Sequence, residues 1–205
     1  MSDDTEDYYD DGLEFHSPFN LGFDPVALET FKWLIAGCLL YFVGLAVALL
    51  AGWNMGNIWI TPLFGLPLLW MGRRGREWAR ILVFVIGFTA LHYLAVRLAV
   101  RYSSGEPSLI PGLIGGAVGA AGSLALCWIF RLFRPGVPTL VFAVFGAALL
   151  AVVGAIGVYL YLSPMSSRSA FLDAYVRMLC IYVPWQVVFA WVLAKVLNPI
   201  GSARG

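Results

Sequence analysis

Charge is what this chain has least of. Between Phe31 and Asn198 only Glu77, Glu106 and Asp173 bear a carboxylate, and each falls in a loop or at the end of an apolar run. That scarcity argues against carboxylate proton relays and carboxylate-based cation sites at membrane depth. A two-carboxylate hydrolase has no candidate pair, and the His-Glu-x-x-His pattern of a metalloprotease is missing. Histidine is nearly absent too: His16 and His92 are the only two. A membrane haem held by two histidines of one chain is thereby excluded. Cys38, Cys127 and Cys180 lie alone in three different apolar segments, without a Cys-x-x-Cys or a Cys/His cluster. Neither a zinc site nor a disulfide framework is indicated, and the expected role of these cysteines is that of small buried hydrophobes. No metal and no cofactor is expected.

What is present is apolar. Hydrophobic residues make up 60% of the 205 and charged residues 12%, against roughly a quarter charged in a soluble domain. A hydrocarbon core of about 30 Å needs roughly 20 apolar residues per helix, and the chain holds six such segments. Strands alternating apolar and polar residues are lacking, which argues against an outer-membrane barrel. The expected fold is all-α: a polytopic membrane bundle of about six transmembrane helices, the second short and Pro-kinked. Residues 1–23 read as an acidic, largely disordered tail with an interfacial aromatic segment, 24–198 as the transmembrane domain, and 199–205 as a short tail.

The first span runs from Pro25 to about Gly52, with Asp24 as N-cap and proline at the first helical position. Trp33 and Trp53 would sit at opposite interfaces. The second segment, Met55 to Met71, contains Pro62, Gly65 and Pro67. Because proline removes a backbone donor and crowds the preceding turn, this segment reads as a short kinked span, with a re-entrant hairpin as the alternative. The later spans are placed at Ala79–Tyr102, Leu109–Phe133, Pro138–Leu162 and Ala174–Asn198.

Seven of the twelve acidic residues lie in the first fourteen positions (Asp3, Asp4, Glu6, Asp7, Asp10, Asp11, Glu14). Such a tail cannot bury enough apolar surface to fold alone, and it lacks the basic start of a secretory signal. Behind it, Phe15, Phe19 and Phe23 alternate with polar residues and turn formers, as expected of a segment on the membrane surface or in contact with a partner. With six spans and the N-terminus inside, the inner loops and ends hold Lys32, Arg73, Arg74, Arg76, Arg80, Arg131, Arg134, Lys195 and Arg204. The outer ones hold Arg97, Arg101, Arg168 and Arg177. This bias places the C-terminus and, less strongly, the N-terminus on the cytoplasmic side, in what the compactness of the chain suggests is a cell inner (plasma) membrane.

Helices in lipid associate through small residues that let backbones approach. The fourth span carries Gly112, Gly116 and Ala120, and separately Gly115, Gly119 and Ser123. The fifth carries Ala143, Ala147, Ala151 and Ala155. A tight contact between these two spans follows, and the glycine run reads as helix packing. It has neither the Gly-x-Gly-x-x-Gly nor the Gly-Lys-Ser/Thr of a phosphate loop.

Ionisable and polar groups at depth are functional candidates by default. His92 and Gln186 are the intramembrane polar candidates. Thr89, Tyr93, Arg97 and Arg101 recur every four residues and share one stripe of the third span. With Arg177 of the sixth span, Tyr93, Arg97 and Arg101 form a candidate site for an anion or a lipid headgroup, since guanidinium forks suit carboxylate and phosphate. The plainer reading is that these arginines snorkel to headgroups, and that Arg177 pairs with Asp173 four residues earlier.

Gly119-Ala120-Ala121-Gly122-Ser123 faintly resembles the small-residue serine motif of rhomboid proteases. Those enzymes need glycine after the nucleophile and a histidine two spans later; here Leu124 follows and the sixth span has no histidine, so the resemblance is rejected. In size and span count the chain looks similar to the substrate-binding subunits of energy-coupling-factor vitamin transporters, a likeness of architecture that includes no motif. The expected function is a non-catalytic subunit or scaffold of a larger membrane complex. The alternative is a small transporter or substrate-binding membrane subunit for an anionic or amphipathic solute, with a membrane enzyme third. Expected partners are the lipid bilayer and a membrane protein or a second copy of the chain, with no nucleic acid.

Overall fold

The computed structural model describes residue 22 and residues 25–52, 58–72, 78–134, 136–164 and 169–197. The acidic tail, Phe15, Phe19, Phe23, Asp24, Trp53 and residues 199–205 lie outside the described residues.

The elements are α1 (Pro25–Leu50), a 3₁₀ segment (Ile58–Phe64), α2 (Leu66–Gly72), α3 (Trp78–Arg101), α4 (Ile110–Ile129), α5 (Val137–Leu162) and α6 (Ala170–Val196). Among the described residues all the helices except α2 are long and apolar enough to cross a membrane, five in number. At 20 to 27 residues and about 1.5 Å per residue, each is roughly 30–40 Å long. The chain is thus a helical, multi-pass membrane protein. The ends shift from the sequence expectation: α4 stops at Ile129 rather than Phe133, and α6 starts at Ala170 rather than Ala174.

The second apolar segment is not one kinked helix. Its seven-residue 3₁₀ part contains Pro62, and Gly65 separates it from the seven-residue α2. Pro62 cannot donate to the carbonyl four residues back, so an α-helical ladder fails there and the tighter i→i+3 pattern takes over. The Gly65 amide closes that stretch on the Pro62 carbonyl at 3.0 Å. Pro67, in the first turn of α2, has the φ that a helix start requires.

Pairwise contacts fix the direction of every long helix. Gly87, Gly122 and Gly115 of α3 and α4 abut Leu126, Leu91 and Ala99 of the other helix, an antiparallel register. Gly112 and Gly116 of α4 face Ala155 and Ala151 of α5, again antiparallel. Gly146 and Gly157 of α5 face Val192 and Ile181 of α6 in the same sense. Between α6 and α1, Tyr182 meets Tyr41, the Tyr175 hydroxyl donates to the Phe42 carbonyl at 3.3 Å, and the Lys195 ammonium donates to the Gly22 carbonyl. Four antiparallel steps leave α3 parallel to α1.

The interrupted segment fits that parity. Ile60 and Leu63 lie against Gly44 of α1, and the Phe64 backbone lies against Gly37. Trp70 shares a groove with Trp33. The segment therefore runs back along α1, while Gly65 seats on Val85 of α3. Its contacts with α1 and α3 complete a ring in which each element packs on its chain neighbours and α6 returns to α1. One end of the ring collects the start of α1, the start of α3, the α4–α5 turn and the end of α6. The far end collects the end of α1, the α3–α4 loop and the start of α6.

Aromatic rings from the 3₁₀ segment, α3 and α6 pack together inside the ring. Phe88 and Phe189 stack at 5.5 Å with an 11° interplanar angle. Phe64 sits 5.3 Å from the first and 5.9 Å from the second, and Trp185 stacks on Phe189 at 4.9 Å.

A side chain at the contact glycines has no room. A β-carbon on Gly37 would overlap the Phe64 carbonyl, and one on Gly112 would overlap the Gly154 carbonyl. At Gly119 the nearest atom would be 3.5 Å away, an ordinary contact. Gly37→Ala and Gly112→Ala are expected to lower stability by about 1–3 kcal/mol through overpacking. Gly119→Ala is expected to be neutral or stabilising, as helix propensity favours alanine. Unfolding midpoints of the three variants in one neutral detergent check this ordering.

Candidate functional site

One layer of polar and aromatic side chains inside the bundle draws on α1, α3 and α6. His92 of α3 lies half-buried with its ring 5.6 Å from Tyr182 of α6, and Tyr182 lies 5.4 Å from Tyr41 of α1. This His–Tyr–Tyr layer sits beyond the Phe88–Phe189 stack toward the far end, about one turn along α3 and two along α6. Gln186 follows Tyr182 by one turn and is 4% exposed. Its Oε1, like the indole Nε1 of Trp185, is buried without a hydrogen-bond partner among the described residues. An unpartnered amide oxygen in an apolar interior costs about 1–3 kcal/mol.

Pro184, inside α6, has no N–H for the Cys180 carbonyl. The α5 backbone packs over this carbonyl: a β-carbon on Gly157 would be 2.9 Å from the oxygen, so glycine there permits the close approach. Ser123 is fully buried and its hydroxyl donates to the Gly119 carbonyl at 2.6 Å, satisfying itself within α4. Ala143, Ala151 and Ala155 are buried and Ala147 is half-buried. Gly115 approaches Ala95 and Ala99, whereas Gly112 and Gly116 approach α5. The small residues of α4 therefore form two faces, one for each neighbour.

The arginines of the candidate anion site occupy separate places. Tyr93, Arg97 and Arg101 are exposed on the outer face of α3, with the Arg97 guanidinium carbon 5.9 Å from the Tyr93 ring centroid. That is a cation–π geometry. Arg177 is on α6, which is not a ring neighbour of α3. It donates from Nε to Asp173 Oδ2 at 2.8 Å and from Nη1 to the carbonyls of Tyr161 and Ser163 at 2.7 and 2.9 Å. Those carbonyls end α5 and have no helical donor, so the guanidinium acts as a C-cap and its charge complements the helix dipole. The sequence shows the Asp173 spacing but not the α5 carbonyls, which only the fold brings within reach.

At the other end Arg134 plays the same part for α6. Its amide donates to Val196 and its Nε to Leu197, both at 2.8 Å, beside an antiparallel bridge between Phe133 and Leu197. On the outside, α1 and α2 form an open apolar groove of about 570 Å³, lined by Trp33, Ala36, Leu40, Val43, Pro67 and Trp70. No cluster of metal-ligating side chains occurs among the described residues. Comparison with protein-family models, curated proteins and solved structures finds no match.

Arg177→Ala is expected to lose about 1–3 kcal/mol, because charged hydrogen bonds to Asp173 and two carbonyls disappear together. Arg177→Lys should recover only part of it, since one ammonium cannot reproduce the guanidinium fork. Arg97→Ala, on the exposed face, should stay within about 0.5 kcal/mol of the parent. Thermal unfolding in neutral detergent measures all three.

Proposed function

We propose that this chain is a non-catalytic scaffold or subunit of a larger assembly, crossing a cell inner membrane six times with both termini cytoplasmic. The observation that carries the scaffold reading is the aromatic stack of Phe64, Phe88, Trp185 and Phe189, which occupies the middle of the ring where a conduit would need open or polar space. A bundle packed in this way works through its outer surface and its ends. The six crossings are supported by the parallel direction of α1 and α3 together with the interrupted segment running back along α1. The orientation is supported by the Lys and Arg bias, and the partner reading by the acidic tail and the aromatic segment at Phe15, Phe19 and Phe23.

A second reading, a binding subunit for a small amphipathic solute that donates a hydrogen bond, is favoured by the Gln186 amide oxygen and the His92–Tyr182–Tyr41 layer. In that case the solute enters from the far end and stops at the aromatic stack. In both readings the exposed Arg97 and Arg101 hold outer-leaflet headgroups, as long basic side chains do near span ends.

Two experiments follow. Accessible cysteines introduced as Ser2→Cys and Ser202→Cys should react from the same side of sealed vesicles, and Ser104→Cys from the opposite side. Labelling of the two termini from opposite sides would leave an odd number of crossings. Native mass spectrometry after gentle solubilisation should find a stoichiometric protein companion that is lost on deletion of residues 2–23. A companion-free protein carrying a small molecule, released by His92→Phe or Gln186→Leu, would replace the scaffold by the binding subunit.

A further inference from the structure

The end of the ring that collects the start of α1 is also where the chain concentrates positive charge. Arg80, in the first turn of α3, and Arg131, in the α4–α5 turn, are exposed there. Arg134 is half-buried beside them in the fold, fastened to the end of α6. Lys195 reaches from the last turn of α6 to the Gly22 carbonyl, so the chain entering α1 is held at this same end.

Arg131 carries a further signal. It has φ = 54°, the left-handed position that follows α4. The Leu132 amide reaches back to the Cys127 carbonyl at 2.8 Å, and the Arg131 amide to that of Trp128 at 3.0 Å. Glycine suits this position best, and a residue with a β-carbon costs about 1–2 kcal/mol there. The left-handed turn thus presents an exposed guanidinium at this end of the ring.

What lies upstream of Gly22 is the most acidic stretch of the chain. Seven carboxylates fall between Asp3 and Glu14, and no Lys or Arg occurs before Lys32. Glu14 is 8 residues and Asp3 19 residues from Gly22, lengths of chain that can cover at most roughly 25–65 Å at about 3.3–3.6 Å per residue. That is enough to cross a helix ring two to three helix diameters wide, at about 10 Å each. A tethered segment with that reach faces the arginines at a millimolar-order effective concentration, while a negatively charged leaflet surface would repel it.

We propose that the basic end is a docking surface for the chain's own acidic amino-terminal segment, Asp3 to Glu14, which lies across Arg80, Arg131 and Arg134 as an electrostatic latch. The latch keeps acidic partners and anionic headgroups off that end until they displace it. It does not depend on the scaffold reading, because it uses only the geometry of the ring end and the charge of the chain.

The test uses the full chain in nanodiscs of zwitterionic phosphatidylcholine, with a fluorescent hepta-glutamate peptide as probe. Replacing all seven tail carboxylates by their amides (Asp→Asn, Glu→Gln) should tighten binding of the probe by roughly three- to thirtyfold at low salt, the range that two or three exposed ion pairs provide. The difference should vanish at about 1 M salt, where the Debye length is about 3 Å. Adding Arg80→Gln and Arg131→Gly, the latter accepted by the left-handed turn, should remove the gain. Equal probe affinity with charged and neutral tails at low salt would overturn the latch. So would a gain that survives loss of both arginines.

Discussion

Backbone-to-backbone contact at glycine is what the rest of the bundle depends on. In lipid, helices gain little from hiding apolar side chains, because the solvent is apolar as well. Contact must instead be close and extensive, and the chain achieves this by removing β-carbons where helices meet. Gly112 and Gly116 let α4 lie on the α5 backbone, Gly115 opens it toward α3, and Gly37 lets α1 receive the end of the 3₁₀ segment. With α3 and α5 fixed on either side of α4, and α6 fixed on α5 through Gly146 and Gly157, the ring has little freedom left. The interrupted segment closes it.

The few charges then have a clear use. Helices that end near the membrane surface leave their last carbonyls without donors, and two arginines meet that need from neighbouring elements. Arg177 caps α5 from α6, and Arg134 caps α6 from the turn before α5. The two contacts sit at opposite ends of adjacent helices, so they fix the α5–α6 pair lengthwise while the glycines fix it sideways. Between them the interior divides into an aromatic layer and, nearer the far end, the His92–Tyr182–Tyr41 layer.

Much of this was legible in the sequence where the relevant physics is local. Span positions follow from apolar run lengths. The glycines and alanines of the fourth and fifth spans stand out because their spacing puts them on one helix face. The Arg177–Asp173 pair is four residues apart and visible for the same reason. By contrast, the division of the second segment into a 3₁₀ stretch and α2 was not legible, since Pro62, Gly65 and Pro67 are compatible with a kink, a hairpin or a break. Gly37 gave no signal as a contact, because its partner is a backbone carbonyl 27 residues on. Nor could the sequence show that Tyr93, Arg97 and Arg101 face outward on α3 while Arg177 turns to the end of α5. A stripe on a helix has no direction until its neighbours are known.

The sequence by itself determined the solvent, the helical class and the places where helices could touch. Hydropathy, proline and glycine act through the chain's immediate surroundings, and these are written residue by residue. Only the tertiary structure decided the ring order, the parallel course of α1 and α3, the aromatic filling of the centre and the partners of Arg134 and Arg177. Those outcomes depend on which faces meet across dozens of residues, and an apolar solvent favours no one face of an apolar helix over another. Close packing at glycine, and the need of each exposed carbonyl for a donor, make that choice.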